Sequence, residues 1–336
     1  MSVNRQHYKS NKKRKRRKKI ALWILTPFLV LLIGATTYGA FLYNKAHSVM
    51  NDSYQPIERT NASSNKVDPK VENTSILIIG VDDSDTRNYN SGSRSDALML
   101  ATFNEKAKSV KLVSIPRDSY VYIPKVGYED KIAHAHAFGG PAATIETVEK
   151  MFDIPIDYYV KMNFNAFIDV VDALGGIDVE VPYTINEMDS KDRKNAINLK
   201  PGIQELNGEE ALALARTRKK DSDIERGKRQ QEIIKAIVNK AVSVQGITKY
   251  ADIIEAVGDN LATDLTFKDM NAFIDYALAG TSLQIDTLTL KGEDYYKSGI
   301  YYYQLDDDEL SVTKQILKSH LGTLATSDNQ YKDSNS

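Results

Sequence analysis

Cysteine is absent from the 336 residues of this chain. That absence excludes a disulfide framework, Cys-ligated zinc, iron–sulfur clusters and thiol catalysis. The sequence also lacks a Gly-x-Ser-x-Gly elbow, a P-loop and a His-Glu-x-x-His motif, which disfavours a hydrolytic triad and a nucleotide-binding loop. With 42% hydrophobic and 26% charged residues, the chain is long and apolar enough to bury a substantial core.

Acidic residues are missing from residues 1–43, which contain ten Lys and Arg. Because the whole chain has a net charge of −1, the remainder carries −11. Residues 12–19 read KKRKRRKK, and 24 uncharged residues follow, from Ile20 to Tyr43. A helix of that length spans roughly 36 Å, which exceeds the ~30 Å hydrocarbon core of a bilayer. We therefore predict a transmembrane helix over 20–43.

A cleaved signal peptide is the alternative for this segment. Its apolar core is normally about 7–15 residues long and ends at a small-x-small site, to which Tyr38-Gly39-Ala40 is a poor match. The basic run lies directly before the span, so it indicates the orientation of the helix in the membrane and not nucleic-acid binding. We expect a cytoplasmic basic tail over 1–19, a single anchor in the cell membrane and an extracytoplasmic C-terminal body.

The body is predicted to be one αβα domain over 74–322, in which helices cover both faces of a central mixed sheet. Residues 44–73 are polar and lack apolar periodicity, which indicates a spacer, and residues 323–336 are small and polar, which indicates a flexible tail. Apolar runs bounded by turn residues predict strands over 74–81, 97–103, 110–115, 156–162, 177–181, 282–290 and 300–305. Helical patterns cover 144–151, 165–174, 208–215, 225–244, 250–257, 267–279 and 307–320.

Two features are predicted to be structural. His134-Ala-His136 has no identifiable third metal ligand, which favours a hydrogen-bonded loop. Tyr158-Tyr159 and Tyr301-Tyr302-Tyr303 are rich in strand-forming residues, so packing is favoured over stacking on a ligand.

Two carboxylates lie at predicted strand ends. Asp82 follows the first buried strand, and Asp96 precedes the next. Ligands of such sheets bind where strands end, and paired acids with phosphate oxygens suit Mg²⁺. The alternative is a solvated turn. Asp83 and Asp85 remain alternatives to Asp82 as the metal ligand.

Arginines follow the third strand and precede a long helix. Arg117, in Ser-Ile-Pro-Arg-Asp, is either a surface residue or an anion clamp, because its guanidinium fork matches phosphate oxygens. Residues 215–231 read ARTRKKDSDIERGKRQQ. Within them, Arg226, Arg229 and Gln230 share the helix face that continues into an apolar stripe. A negatively charged ligand is favoured over ion pairing with Asp221, Asp223 or Glu225.

The chain resembles the LytR–CpsA–Psr family of Gram-positive wall-assembly proteins. The resemblance covers roughly residues 74–244, together with the short tail and single anchor. Six ordered motifs carry it: ILIIGVD (76–82), RSD (94–96), SIPRD (114–118), DKI (130–132) with GGP (139–141), VDALGGI (171–177) and ARTR…DxxRxxRQQ (215–231).

The resemblance implies transfer of a glycopolymer-1-phosphate, such as wall teichoic acid or capsule, from undecaprenyl diphosphate to a peptidoglycan hydroxyl. It implies that Asp82 and Asp96 hold Mg²⁺ and that the isoprenoid tail lies in an apolar tunnel between sheet and helices. Diphosphate-binding residues are expected to be Arg117, Arg216, Arg218, Arg226 and Gln230, with Arg94 and Lys131 in support, and Arg229 is a further candidate.

Cleavage of a diphosphate needs charge neutralisation and positioning more than a protein nucleophile. Arg117 and Arg218 are therefore expected to be essential for transfer. Asp118 and Asp223 are equal candidates for the general base that the attacking hydroxyl requires. A lipid-diphosphate hydrolase and a non-catalytic envelope regulator are the alternative functions.

Overall fold

The computed structural model describes residues 33, 36–49, 51–57, 67–82, 92–218, 222–241, 243, 252–253, 255, 258–278 and 283–324. The chain divides into two compact units, Met1–Ser48 and Val49–Ser336. In the first unit, residues 36–48 are helical. The predicted basic tail, most of the predicted membrane span and residues 325–336 lie outside the described residues. Within the described part of the chain, no helix combines the length and the apolar character that crossing a membrane requires.

The second unit interleaves strands and helices. Its strands are β1 (Thr74–Val81), β2 (Ser95–Asn104), β3 (Ser109–Ser114), β4 (Tyr120–Ile123), β5 (Tyr128–Lys131), β6 (Tyr158–Asn163), β7 (Ile177–Val181), β8 (Ile185–Glu187), β9 (Ile197–Leu199), β10 (Gly202–Leu206), β11 (Leu261–Thr263), β12 (Gln284–Thr289), β13 (Gly292–Lys297) and β14 (Ile300–Leu305). Its labelled helices are α1 (Ile132–Phe152), α2 (Phe164–Leu174), α3 (Gly208–Arg216), α4 (Asp223–Ala241), α5 (Phe267–Leu278) and α6 (Asp307–Leu321).

A six-stranded mixed sheet forms the centre of the unit, in the order β11-β6-β1-β2-β3-β12. The pairs β1–β6 and β3–β12 are parallel, whereas β1–β2, β2–β3 and β6–β11 are antiparallel. The mixed α/β architecture predicted from the sequence is therefore confirmed. Because β1 and β2 are antiparallel, the end of β1 and the start of β2 meet at one edge of the sheet.

Helices cover both faces of this sheet, as predicted. On one face, Leu77 and Leu100 join a buried cluster with Phe152 of α1 and Leu317 of α6. On the other face, Ile76 and Tyr158 pack with Leu265, and Ala101, Val110 and Leu112 pack with Ile234 of α4. Strand side chains alternate between the two faces, so these apolar runs are buried on both sides.

Helix α1 differs from the prediction. It begins at Ile132 and is interrupted by a kink at Gly139 and Gly140, whose backbone angles are non-helical; the part after the kink contains the predicted helix over 144–151, and the part before it was not predicted. His134 and His136 therefore lie in a helix and not in a loop. The first turn of the helix is held from outside, since the amide of Ala133 donates to the carbonyl of Arg117 at 3.1 Å. This contact is long-range, so the local Gly-Gly-Pro pattern gave no sign of it.

Part of the predicted spacer packs on the body. The hydroxyl of Tyr158 donates to the carbonyl of Val67 at 2.7 Å, and the hydroxyl of Tyr159 donates to the carbonyl of Gln55 at 2.8 Å. Ser53 donates to the carbonyl of Gly258 at 2.9 Å. These polar contacts satisfy two tyrosines that are otherwise buried in the core.

Candidate functional site

The two predicted metal-binding carboxylates lie at one edge of the sheet. In the β1–β2 ladder Gly80 faces Ala97 while Val81 faces Ser95, so Asp96 is the extra residue of a β-bulge. A bulge redirects a side chain out of the regular alternation. Asp82 follows Val81 directly and is buried. Both carboxylates line the same cavity.

Arg117 follows β3 and reaches across to Asp96. Its Nη1 donates to Asp96 Oδ1 at 2.6 Å, and its Nε lies 3.7 Å from Asp118 Oδ2. Asp118 also accepts a 2.7 Å hydrogen bond from Lys131 Nζ. Burial raises the pKa of Asp118, but the hydrogen bond from Lys131 and the charge of Arg117 outweigh burial and leave that pKa below its usual value. Asp118 is therefore a carboxylate at neutral pH and holds two cations beside the sheet.

The end of α3, the segment after it and the first turn of α4 supply one arginine each, Arg216, Arg218 and Arg226. The Arg216 guanidinium lies 4.8 Å from the centroid of the Phe164 ring, a cation–π contact. Asp223 lies 3.2 Å from Arg218 and accepts a 3.0 Å hydrogen bond from Arg226. Burial lowers the pKa of Arg226 to about 10, with a further lowering from neighbouring arginines that Asp223 opposes. Arg226 is thus a buried cation, and an anion bound beside it would stabilise its charged form.

Arg229 and Gln230 differ in position although both were candidate diphosphate ligands. Arg229 is buried, and it donates to the carbonyls of Leu214 at 3.1 Å and Thr217 at 2.6 Å. It does so instead of lining the cavity, and it fixes the C-terminal end of α3. Gln230 does line the cavity and donates to the carbonyl of Ala215 at 3.2 Å.

These residues surround a cavity of about 320 Å³ between the sheet and helices α2, α3 and α4. Four arginines and two aspartates line it, which leaves an excess of two positive charges. Its apolar walls come from the sheet and from the three helices, and they include Ile78, Met99, Phe167, Leu212, Ile233 and Ile234. An anionic head group with a long apolar tail matches this division of charged rim and apolar wall.

Seven of the predicted residues line this cavity: Asp82, Asp96, Arg117, Arg216, Arg218, Arg226 and Gln230. Asp118, Lys131 and Asp223 adjoin it through ion pairs with one another or with its arginines. Arg94 is exposed on the approach to β2. Asp83 and Asp85 lie outside the described residues.

Asn163 and Phe164 also line the cavity, and neither was predicted from the sequence. Asn163 ends β6, and its side chain accepts from the amide of Ala166 at 2.9 Å to cap α2. Its position at the end of a strand parallel to β1 was the signal that could have identified it.

The cavity offers two carboxylates, Asp82 and Asp96, as ligands for a hard divalent cation. Two carboxylates line the cavity, and among the described residues no group of three or more His, Cys, Asp or Glu side chains is placed to hold a metal. Mg²⁺ commonly binds through one or two carboxylates and takes its remaining oxygens from phosphate and water. Asp82 and Asp96 fit that pattern.

Comparisons with known proteins agree with this geometry. The chain is 39% identical over 323 residues to polyisoprenyl-teichoic acid–peptidoglycan teichoic acid transferase TagT of Bacillus subtilis (strain 168), which covers 93% of this chain and 98% of the relative. It is 36% identical over 309 residues to the transferase TagU of Enterococcus faecalis, with 91% and 98% covered.

Solved structures give the same result. TagT bound to LIIa-WTA superposes with a TM-score of 0.67 at 40% identity and covers 79% of this chain and 97% of that chain. The LytR-CPS2A-psr family protein YwtF (TagT) with bound octaprenyl pyrophosphate lipid gives a TM-score of 0.64 at 36% identity, with 80% and 99% covered. The model of the LytR_cpsA_psr family matches residues 40–319. This chain belongs to that family.

Proposed function

We propose that the chain is a glycopolymer phosphotransferase. Its donor is an undecaprenyl diphosphate that carries a glycopolymer, such as wall teichoic acid, capsule or a similar polymer, and its acceptor is a hydroxyl of peptidoglycan. The observation that carries this proposal is the cavity, in which apolar walls lie beneath a rim of arginines. The names of the relatives and the octaprenyl pyrophosphate of one solved structure support the same donor class.

Charge supports a diphosphate ligand. A diphosphate diester carries two negative charges at neutral pH, and four arginines against two aspartates among the residues lining the cavity favour such an anion. Arginine forks donate to phosphate oxygens in pairs. Arg117 and Arg218 are already oriented by Asp96 and Asp223, so little side-chain entropy is lost when the ligand binds.

Asp82 and Asp96 would hold Mg²⁺ at the rim of the cavity. When bound, the ion would neutralise charge on the phosphate oxygens as the bond to the leaving group lengthens. Chelation of divalent metal is therefore expected to stop transfer and added Mg²⁺ to restore it.

The remaining chemistry belongs to the side chains. The acceptor oxygen attacks the phosphorus that carries the glycopolymer, the bond to the lipid-side phosphate breaks, and undecaprenyl phosphate leaves. Asp118 pairs with Arg117 and Lys131, and Asp223 pairs with Arg218 and Arg226. Both carboxylates are candidates to accept the proton of the hydroxyl.

The membrane anchor is part of the same proposal. Residues 20–43 would span the bilayer with residues 1–19 in the cytoplasm. The body would then lie on the outer side of the membrane, where a lipid-linked donor is displayed. Removal of residues 1–43 is expected to slow transfer from donor in vesicles and to leave transfer from detergent-dispersed donor nearly unchanged.

The decisive experiment measures transfer by the purified full-length protein in detergent. Arg117→Ala and Arg218→Ala are each expected to lower transfer by at least about 100-fold, because each removes donors that neutralise the developing charge. Arg193→Ala is the matched control, since the Arg193 side chain is 73% exposed and neither it nor its buried partner Asp189 lines the cavity. Near-normal transfer by either cavity variant would exclude that arginine from the site.

The same reaction distinguishes a transferase from a hydrolase. Donor, Mg²⁺ and a muropeptide oligosaccharide are incubated with the protein, and the phosphate product is identified by mass spectrometry. Phosphate joined to the oligosaccharide supports transfer. Phosphate released as a monoester in the presence of acceptor contradicts it.

A further inference from the structure

A tyrosine-rich hairpin packs directly against the segment that carries Asp118. Strands β13 and β14 pair antiparallel, with Tyr296 opposite Tyr301. The amide of Tyr303 donates to the backbone carbonyl of Asp118 at 2.8 Å, and the backbones of Tyr303 and Ser119 form an isolated parallel β-bridge. The hairpin is therefore fixed beside the proposed diphosphate site and not on a distant surface.

One face of the hairpin is filled by packing within the protein. The Tyr120 ring lies 5.5 Å from that of Tyr295 and 4.8 Å from that of Tyr302. Lys297 Nζ lies 5.1 Å from the centroid of Tyr120. These contacts use the aromatic surfaces of this face, as expected for tyrosines that pack in a strand.

The opposite face presents an aromatic surface to solvent. The rings of Tyr296 and Tyr301 lie 5.5 Å apart, and Tyr296 is 66% exposed. The Tyr301 hydroxyl donates to Asp294 Oδ1 at 3.0 Å. A ring as exposed as that of Tyr296 contributes little to the core. Together with the partly buried Tyr301 and the carboxylate of Asp294 it offers an aromatic and a polar group to a ligand.

Lys131 connects this face to the proposed site. Its Nζ lies 5.7 Å from the Tyr301 ring, 5.6 Å from the Tyr302 ring of the packed face and 2.7 Å from Asp118 Oδ1. Tyr301 is also within electrostatic reach of Asp118 and Asp223, whose charges add to burial and the Asp294 hydrogen bond in raising the pKa of its hydroxyl. A continuous strip thus leads from the arginine rim to Tyr296.

We propose that Tyr296, Tyr301 and Asp294 form the docking surface for the glycan chain of the acceptor, an inference that rests on the proposed function. Aromatic rings stack on the C–H face of a pyranose, and a neighbouring carboxylate accepts hydrogen bonds from its hydroxyl groups. Tyrosine supplies large contact area at low entropic cost.

Direction of attack favours the acceptor over the donor polymer. The prenyl side of the donor lies in the cavity, which β1, β2, α2, α3 and α4 line. Attacking and leaving oxygens lie roughly in line across a transferring phosphorus, so the acceptor hydroxyl approaches from the rim. Asp118 and the hairpin adjoin that rim.

Charge favours the same occupant. Residues 291–309, which cover the hairpin and the start of α6, carry the acids Glu293, Asp294, Asp306–Asp308 and Glu309 against the cations Lys291 and Lys297. The net negative charge of this segment disfavours a polyanionic donor such as a teichoic acid. A neutral glycan backbone meets no such repulsion.

The test measures Michaelis constants of the full-length protein with varied acceptor and with varied donor. Tyr296→Ala is expected to raise the KM for an oligosaccharide acceptor about tenfold, the loss typical of a truncated aromatic contact. The KM for the lipid diphosphate donor should not change. Tyr296→Phe keeps the ring and should stay near the wild-type values. Tyr128→Ala is the control, because Tyr128 is 50% exposed and packs on Phe138 away from the strip.

Binding is measured separately, so that the docking surface is tested even if no transfer occurs. Tyrosine resonances of the protein are followed by NMR during titration with a peptidoglycan-derived tetrasaccharide or with poly(glycerol phosphate). Shifts of Tyr296 and Tyr301 with the tetrasaccharide support the proposal. A raised donor KM in Tyr296→Ala, a response to the polyphosphate alone, or an unchanged acceptor KM would overturn it.

Discussion

The Arg117 guanidinium donates to the carboxylate of Asp96 at 2.6 Å and thereby joins the end of β3 to the bulge of β2. Both side chains are about one third exposed, at 32% and 33%. An ion pair with that exposure adds at most about 1 kcal/mol to stability. Its consequence is geometric, since it holds the arginine fork at the rim of the cavity before any ligand arrives.

Asp96→Asn is expected to lower kcat for transfer by about 100-fold, because it removes both the charge that orients Arg117 and a carboxylate that suits Mg²⁺. The free energy of unfolding should change by less than about 1 kcal/mol. Steady-state transfer kinetics and urea denaturation measure the two quantities.

Asp286→Asn is the matched control for this change. Asp286 also accepts a hydrogen bond from a cation, Lys111 at 2.9 Å, but it lies on β12 outside the cavity. The Asp286→Asn variant should leave the rate of transfer unchanged. Equal activity losses in the two variants would show that the effect is not specific to the site.

The sheet and most of the cavity residues could be predicted because the sequence marks where apolar strands end. Asp82, Asp96 and Arg117 each adjoin a run of buried residues, and neighbouring strands bring those ends together. Arg226 and Gln230 followed from helical spacing. Such inferences succeed where local pattern and burial agree.

What the sequence could not predict depends on contacts between distant residues. Helical spacing placed Arg229 with Arg226, but the carbonyls that bind Arg229 belong to the end of α3, 12 and 15 residues away. The two glycines predicted a break before Thr144, and the backbone is non-helical at Gly139 and Gly140; the helical turns before them, from Ile132, were not predicted. The β2 bulge and the short strands β4 and β5 likewise depend on tertiary structure, which local propensity does not encode.

Arg229→Lys is expected to lower the free energy of unfolding by about 1–3 kcal/mol, because an ammonium cannot donate to two separated carbonyls as the guanidinium does. Donor affinity should fall as a secondary effect, since Arg216 and Arg218 flank the Thr217 carbonyl that Arg229 binds. Urea denaturation and donor KM are compared with those of Arg193→Lys. A raised donor KM at unchanged stability would instead identify Arg229 as a direct ligand of the diphosphate.

Gly227→Ala is expected to destabilise the protein by about 1–3 kcal/mol through overpacking. A Cβ at Gly227 would lie 2.5 Å from Ser114 Oγ and 3.1 Å from Ser114 Cβ, so the Ser114 hydroxyl must turn away and α4 must shift slightly from the end of β3. Arg226 would move with the helix, and transfer should fall as well. Thermal or urea unfolding measures the loss of stability.

Ser114→Ala removes the oxygen that this Cβ would meet, so the double variant should regain part of the stability, while the remaining 3.1 Å contact with Ser114 Cβ limits the recovery. The coupling is obtained from a double-mutant cycle. Strict additivity of the two single changes would show that the helix and strand do not touch at this position.

His320 makes stability depend on pH. Thr102 Oγ1 lies 2.8 Å from its Nδ1 and Ser109 Oγ lies 2.9 Å from its Nε2. Burial, followed by the charge of Lys111, lowers the pKa of His320 from 6.5 to about 4. The folded protein therefore keeps the ring neutral, whereas the unfolded chain binds a proton below about pH 6.5. The contribution of His320 is fully present above that pH and is lost as the pH falls toward 4.

The full pKa difference corresponds to a loss on the order of 3 kcal/mol. Carboxylates also titrate in this range, so the informative quantity is the difference between the wild type and His320→Gln. Urea denaturation at pH 7, 5.5 and 4.5 should show a steeper loss of stability in the wild type, because glutamine cannot take up a proton. An equal loss of stability with pH in the two proteins would mean that the His320 ring is already protonated in the folded state. Both ring nitrogens would then donate, to Thr102 Oγ1 and Ser109 Oγ.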